Sequence, residues 1–280
     1  MIKNKPKVIV ILGQTATGKS DLAVKIAKKV NGEIISADSR QVYKGLDIGT
    51  GKITKKEMRG IPHHLLNVAN PKKVLSVAEY QKKAISAIAD IVKRRKTPII
   101  CGGAGFYIDA ITKGIIFPEV PPNYTLRNKL ALVSDRALML KLQKLDPGRA
   151  QNIDPKNKIR LIRAIEIAEA LGKVPEKTEA RLPFKFIKIG LYLPPDKLKK
   201  KIERRVKEMF KSGLLDEIKK LKKLGVSDRR LKEFGFEYYK PTPKKVILET
   251  LRYAKRQMTW FKRDKEIKWF DASKKINFKI

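Results

Sequence analysis

Apolar and polar positions along the chain fall into two alternating regimes. Val8-Ile9-Val10-Ile11-Leu12 is an unbroken apolar run of strand length, the pattern of a parallel strand buried on both faces. A Gly-rich turn follows. Over residues 19–30, Leu22, Ala23, Ile26, Ala27 and Val30 recur at helical spacing, and Asn31-Gly32 supplies the stop. Glu33-Ile34-Ile35-Ser36-Ala37-Asp38 reads as a second strand, completing a βαβ unit. Ser76-Val77-Ala78-Glu79 has the form of a capping box, and Tyr80, Ala84, Ile88 and Ile91 form the apolar stripe of the helix it opens. Pro98-Ile99-Ile100-Cys101 is a further strand, and Gly102-Gly103-Ala104-Gly105 turns it into another helix. Strand and helix in alternation predict an α/β fold, a parallel sheet flanked by helices.

The regime changes after Phe117, where Pro118, Pro121 and Pro122 mark a boundary. Residues 118–183 carry helical periodicity and read as a helical insertion, dividing the core into a first part at 1–117 and a return at 184–280. Within the insertion, residues 154–170 place Leu161, Ile162, Ile165 and Ala168 on one helical face, and Arg160 with Arg163 on another. Ile187 to Leu193 regains strand character. A helix from Asp196 buries Leu198, Ile202, Val206, Met209 and Phe210 and is interrupted at Ser212-Gly213. A last helix opens near Thr242-Pro243 with Ile247, Leu251, Ala254, Met258 and Phe261 as its apolar stripe.

Composition narrows the class. Of 280 residues, 42% are hydrophobic, enough for a sizeable core. No apolar run reaches membrane-spanning length. The segment beginning at Met1 lacks the apolar stretch and cleavage site of a secretory leader, and Cys101, the single cysteine, has no internal disulfide partner; a cytoplasmic protein is expected. Lys and Arg number 65 against 28 Asp and Glu, a formal net charge of +37 spread along the chain. Such a field attracts polyanions, although lysine enrichment also arises from thermal adaptation.

The chemistry is concentrated in Gly13-Gln14-Thr15-Ala16-Thr17-Gly18-Lys19-Ser20, which fits G-x-x-x-x-G-K-[ST] between a predicted strand and a helix start. The glycines let backbone N–H groups wrap an anion, Lys19 reaches phosphate oxygens, and the Ser20 hydroxyl is a candidate Mg²⁺ ligand. The loop specifies a phosphorylated ligand, not ATP in particular. Asp38 ends the second strand and so emerges at the carboxyl edge beside this loop; it caps a turn, holds Mg²⁺ through water or accepts a proton from a nucleophile. Thr15 is a further group able to touch a reacting atom. His63-His64 lacks the partners of a metal site, which favours a polar packing role. Arg252, Lys255, Arg256, Lys262 and Arg263 line the polar side of the last helix, as a solvated or a phosphate-contacting face.

Taken together, these segments resemble the tRNA dimethylallyltransferase (tRNA isopentenyltransferase) family. The resemblance rests on Gly13 to Ser20, Ile35-Ser36-Ala37-Asp38-Ser39-Arg40-Gln41-Val42-Tyr43-Lys44-Gly45-Leu46-Asp47-Ile48-Gly49-Thr50, Pro62-His63-His64-Leu65, Gly102-Gly103-Ala104-Gly105-Phe106-Tyr107, residues 154–167, and Lys255-Arg256-Gln257-Met258-Thr259-Trp260-Phe261-Lys262-Arg263-Asp264. It implies transfer of a dimethylallyl group from its diphosphate to N6 of the adenosine next to a tRNA anticodon, with the loop 13–20 holding the diphosphate and Mg²⁺ on the leaving group. Asp38 is then the base for the N6 proton, Thr15 orients the adenine edge and Lys19 stabilises the departing charge. Asp38, Ser39, Arg40, Gln41 and Ala104 match positions that contact the flipped-out nucleotide, and Arg127, Ile159, Arg160, Leu161, Ile162 and Arg163 match tRNA-contacting positions of the insertion. The expected partners are the anticodon stem-loop of tRNA and dimethylallyl diphosphate, acted on by a monomer away from membranes. Ala104 stands where the family has Thr, and Gly235-Phe236-Glu237-Tyr238 only loosely follows the family's Gly-Tyr-Lys-Glu. Three alternatives explain part of the pattern: a phosphate-loop small-molecule kinase, an adenylate isopentenyltransferase acting on free nucleotides, and a nucleic-acid-binding protein with a vestigial nucleotide site.

Overall fold

The computed structural model describes residues 5–276. The segment at Met1 and the ends of the expected 1–117 and 184–280 parts therefore lie outside the described residues. Six strands form one sheet: β1 (Lys7–Gly13), β2 (Gly32–Ala37), β3 (His63–His64), β4 (Thr97–Gly102), β5 (Lys185–Tyr192) and β6 (Lys268–Asp271). Their order is β3-β2-β4-β1-β5-β6, and every pairing is parallel. The carboxyl ends of β1, β2 and β4 lie side by side, since Ile11 pairs with Cys101 and Ala37 with Gly102.

The helices are α1 (Lys19–Lys29), α2 (Lys55–Met58), α3 (Val77–Lys93), α4 (Gly105–Thr112), α5 (Tyr124–Ala131), α6 (Asp135–Leu145), α7 (Pro147–Gln151), α8 (Lys158–Leu171), α9 (Pro195–Lys211), α10 (Leu214–Lys223), α11 (Asp228–Phe234) and α12 (Pro243–Phe261). Among the described residues, no helix is long and apolar enough to cross a membrane. The chain divides into two compact units, Met1–Gly114 with Arg181–Ile280, and Ile115–Ala180.

In the larger unit, alternate residues of β1 feed two apolar layers. Val8, Val10 and Leu12 join Ile35, Tyr80, Ile88 and Ile100 on one face, while Ile9 and Ile11 join Ala23, Ile26, Ile34 and Ile99 under α1 on the other. The Ser76–Glu79 capping box forms as its spacing predicts. Gly213, at φ +94°, breaks the run after α9 and starts α10. The stripe expected for α12 is displaced: its buried residues are Val246, Thr250, Ala254, Gln257 and Phe261, while Ile247, Leu251 and Met258 are only half-buried. A hydrophobic count assigns polar Thr250 and Gln257 to solvent, whereas the fold turns both inward.

The smaller unit is a helical cluster, with Leu130, Leu138, Leu142, Ile153, Leu161 and Ile165 at its centre. The helix expected from residue 154 starts at Lys158, because the Asp154 carboxylate accepts the Lys156 amide and Asn157 caps α8 through the Arg160 amide. The Glu166 carboxylate, 2% exposed, accepts hydrogen bonds from the Asn123 amide, Arg127 and Arg163.

Candidate active site

The sharp turn after β1 is forced by Gly13 at φ +126°, where a Cβ would collide with the Leu191 backbone of β5. Gln14 is structural, which corrects the expectation that it holds ligand. Its amide donates to Leu191 O (3.3 Å), its side-chain oxygen accepts the Leu193 amide (3.1 Å), and its carbonyl accepts the Thr17 hydroxyl (2.8 Å) and Lys19 Nζ (2.5 Å). Buried Thr17 thus also braces the loop. Gly18 adopts φ +88° and opens α1 without a capping side chain. Among the described residues, the amides from Ala16 to Ser20 meet no protein acceptor, which leaves a ring of N–H donors at a helix N-terminus, the arrangement that binds anions.

These donors face a cavity of about 310 Å³ lined by Thr15, Gly18, Lys19, Ser20, Asp38, Ser39, Arg40 and Gln41 from beyond the carboxyl ends of β1 and β2, Cys101 and Gly102 of β4 with Gly103 just after it, Arg205 from α9, and Tyr253 and Gln257 from α12. Burial pushes the Lys19 ammonium down to about 8, with Arg205 acting in the same direction. Asp38 caps a turn and also borders the cavity. Its Oδ1 accepts the amides of Arg40 (2.8 Å) and Gln41 (3.2 Å), closing the turn, while the carboxylate lines the cavity beside the loop. Ser20 sits on the wall near Cys101, whose thiol is raised to about 11 by burial. Ala104 is one step removed: it caps α4, and its amide donates to Ala37 O (3.2 Å).

Three residues of this site carry no role in the sequence reading. Arg205 donates to Thr15 Oγ1 (3.2 Å) and to Thr50 O (2.9 Å), and among the described residues no carboxylate lies within ion-pair distance of it. Burial lowers its pKa, which marks a cation in need of an anion. One arginine among many basic residues on an amphipathic helix gives no sequence signal. Gln257 accepts the Thr15 amide (2.8 Å) and donates to Gly103 O (2.9 Å). Glu237 Oε2 lies 3.6 Å from Arg40 Nη1 and has no hydrogen-bond partner among the described residues, and burial raises the Glu237 pKa.

His64 pairs with buried Glu33 at 2.7 Å, and Glu33 also accepts Arg94 and Lys96, so the histidine pair serves a structural charge cluster. In the smaller unit, Ile159 is 82% exposed and Arg160 is exposed, but Leu161 is fully buried. The expectation that the Leu161 side chain contacts nucleic acid is therefore corrected: it sits on the core face of α8. Ile162 is half-buried against the same core, and Arg127 and Arg163 are both tied to Glu166.

A parallel sheet with a glycine-rich anion loop at the carboxyl end of its central strand, a lysine and an arginine lining the same cavity and a carboxylate beside them define an α/β protein of phosphate-loop type, with a site suited to a phosphorylated ligand. The family model described as IPP transferase matches residues 41–264. The tRNA dimethylallyltransferase of Anoxybacillus flavithermus is 40% identical over 282 residues, covering 95% of this chain and 91% of its own. That of Bacillus subtilis is 36% identical over 299 residues, covering 100% and 95%. Among solved structures, the full-length tRNA isopentenylpyrophosphate transferase of Bacillus halodurans aligns with a TM-score of 0.71 at 36% identity, covering 96% of this chain and 90% of that one. A eukaryotic dimethylallyltransferase solved acting on tRNA aligns with a TM-score of 0.80 at 28% identity, covering 95% and 74%. The chain belongs to the IPP transferase family.

Proposed function

We propose that this chain transfers the dimethylallyl group of dimethylallyl diphosphate to N6 of the adenosine at tRNA position 37, beside the anticodon. The observation that carries the reading is the convergence on one cavity of the open amides of the loop, Lys19, Arg205 and Asp38. Its relatives named tRNA dimethylallyltransferase, matched over nearly their whole length, support the substrate pair.

In this reading the diphosphate lies on the amides from Ala16 to Ser20, between Lys19 and Arg205. As the allylic C–O bond breaks, negative charge grows on the leaving diphosphate, where fixed donors stabilise it most. N6 forms the new C–N bond, and the Asp38 carboxylate takes the proton released from it. Thr15, oriented by Arg205 and Gln257, borders both partners. Ser39, Arg40 and Gln41 hold the flipped-out nucleotide, because a stacked base cannot present its amino group to a buried cavity.

A magnesium ion fits a site of this kind. Ser20 supplies one hard oxygen donor, and Mg²⁺ commonly takes its remaining ligands from phosphate and water. When bound, it neutralises charge on the leaving group. The exposed Ile159 and Arg160 of α8, with the half-buried Ile162 and Arg163 of the same helix and Arg127 of α5, contact the tRNA, and the net charge of +37 draws the polyanion in. The larger unit supplies all the residues that line this cavity, and we read the chain as acting as a cytoplasmic monomer. The test is mass analysis of tRNA nucleosides from cells with and without the gene: loss of the N6-dimethylallyl adenosine species on deletion is expected, and an unchanged nucleoside profile would refute the assignment.

A further inference from the structure

Away from the cavity, Glu217 of α10 is 8% exposed, and both its carboxylate oxygens are saturated by donors. Oε2 accepts the amides of Asp47 (3.0 Å) and Ile48 (2.6 Å); Oε1 accepts the Gly49 amide (3.1 Å) and the Tyr238 hydroxyl (2.9 Å). Hydrogen bonds to a charged carboxylate are stronger and shorter than neutral ones, so this is a firm grip on three consecutive residues of a loop. The grip is also shaped, since a Cβ at Gly49 would come 2.6 Å from the Tyr238 ring.

The gripped turn ends at Thr50, whose carbonyl accepts Arg205 Nη2 (2.9 Å) and, more weakly, Gln41 Nε2 (3.3 Å). Next to it, Gly51 has no side chain, and a Cβ there would collide with the Arg205 guanidinium. The Thr50 carbonyl and the Thr15 hydroxyl are thus the two acceptors that aim Arg205. A long cation without such acceptors samples many rotamers, and ordering it on binding costs affinity.

We infer that Glu217 is a positioning residue for the diphosphate: by holding the amides of residues 47–49 it fixes the Thr50 carbonyl, and through that carbonyl it aims the Arg205 guanidinium at the phosphate loop. The inference rests on the reading of Arg205 as a diphosphate-binding cation. A double-mutant cycle on the full-length enzyme tests it, with KM for dimethylallyl diphosphate and kcat measured at saturating anticodon stem-loop. Glu217→Gln turns an acceptor into a donor facing backbone amides. It is expected to raise KM about 10- to 100-fold, the range for losing hydrogen bonds to a charged group, with a much smaller change in kcat. In an Arg205→Ala background the same substitution is expected to add nothing to KM. Tyr238→Phe, which keeps the carboxylate and the ring, should shift KM in the same direction by less, and it decides the matter if Glu217→Gln does not fold. A KM effect of equal size in both backgrounds, or an unchanged KM in a folded Glu217→Gln or Tyr238→Phe variant, would overturn the inference and leave Glu217 as a stability residue. An Arg205→Ala enzyme with normal KM for the donor would instead refute the role of Arg205 itself.

Discussion

The Thr15 amide donates to Gln257 Oε1 at 2.8 Å, joining the loop after the first strand to the last long helix. The same side chain donates to Gly103 O at 2.9 Å. One buried amide group therefore fixes the spacing between the carboxyl ends of β1 and β4, and the cavity floor depends on a helix more than two hundred residues away.

Replacing Gln257 by Leu leaves the Thr15 amide without its acceptor and the Gly103 carbonyl with only the longer bond from the Tyr253 hydroxyl (3.3 Å). The expected cost is about 1–3 kcal/mol of stability, the range for a buried group left unsatisfied. Inorganic pyrophosphate should also protect the variant less against thermal unfolding than it protects the native chain. Equal protection in both would show that the loop holds its shape without Gln257.

Asp38→Asn keeps a side-chain oxygen for the amides of Arg40 and Gln41, so the turn survives while the base is lost. Single-turnover prenyl transfer should fall by about 10²- to 10⁴-fold, the usual range for removing a general base, with little change in stem-loop affinity. A parallel loss of binding and rate would make Asp38 a positioning residue.

Burial lowers Lys19 to about 8, so its charge is present below that pH and is lost above it. The kcat/KM for the prenyl donor, which reports the free enzyme, should decline above pH 8. The corresponding limb in kcat should lie at higher pH, because bound diphosphate restores the ammonium. The linkage to stability has the opposite sign. Between pH 8 and the ordinary lysine value of 10.5 the unfolded chain binds this proton and the folded chain does not, so Lys19 contributes increasing stability as pH rises through that window. A kcat/KM profile flat from pH 7 to 10 would contradict the burial of this ammonium.

Neighbours on α8 should behave differently. Arg160→Ala, at an exposed position, should weaken stem-loop binding and reduce its salt slope by about one, with an unchanged melting temperature. Leu161→Ala should cost about 2–5 kcal/mol, as a large-to-small change in a core does. The pairing is overturned if Leu161→Ala is as stable as the native chain and loses affinity instead.

Much of this architecture was legible in the sequence because its signals are local. Continuous apolar runs mark β1, β2 and β4, the spacing of glycines and Lys19 marks the anion loop, and Ser76 with Glu79 marks the start of α3. What escaped depends on distant partners. Gln257 and Thr250 read as surface residues until α12 lies against the loop, and Arg205 looks like any basic residue of a helix until it is seen to have Thr15 and Thr50 as partners and, among the described residues, no carboxylate within ion-pair distance. Gln14 and Leu161 erred in the other direction. Each belongs to a segment associated with binding, yet one is consumed by β5 and the other by the core of the smaller unit.

The central claim is that the amides from Ala16 to Ser20, with Lys19 and Arg205, hold the diphosphate of a prenyl donor whose five-carbon group goes to tRNA. Incubating the purified chain and an unmodified anticodon stem-loop with dimethylallyl diphosphate labelled in the allylic carbons, or with γ-labelled ATP, measures this directly. Label should enter the RNA from the prenyl donor, on N6 of the adenosine 3′ to the anticodon, and not from ATP. Label transferred from ATP, or RNA bound but never labelled by the prenyl donor, would contradict it.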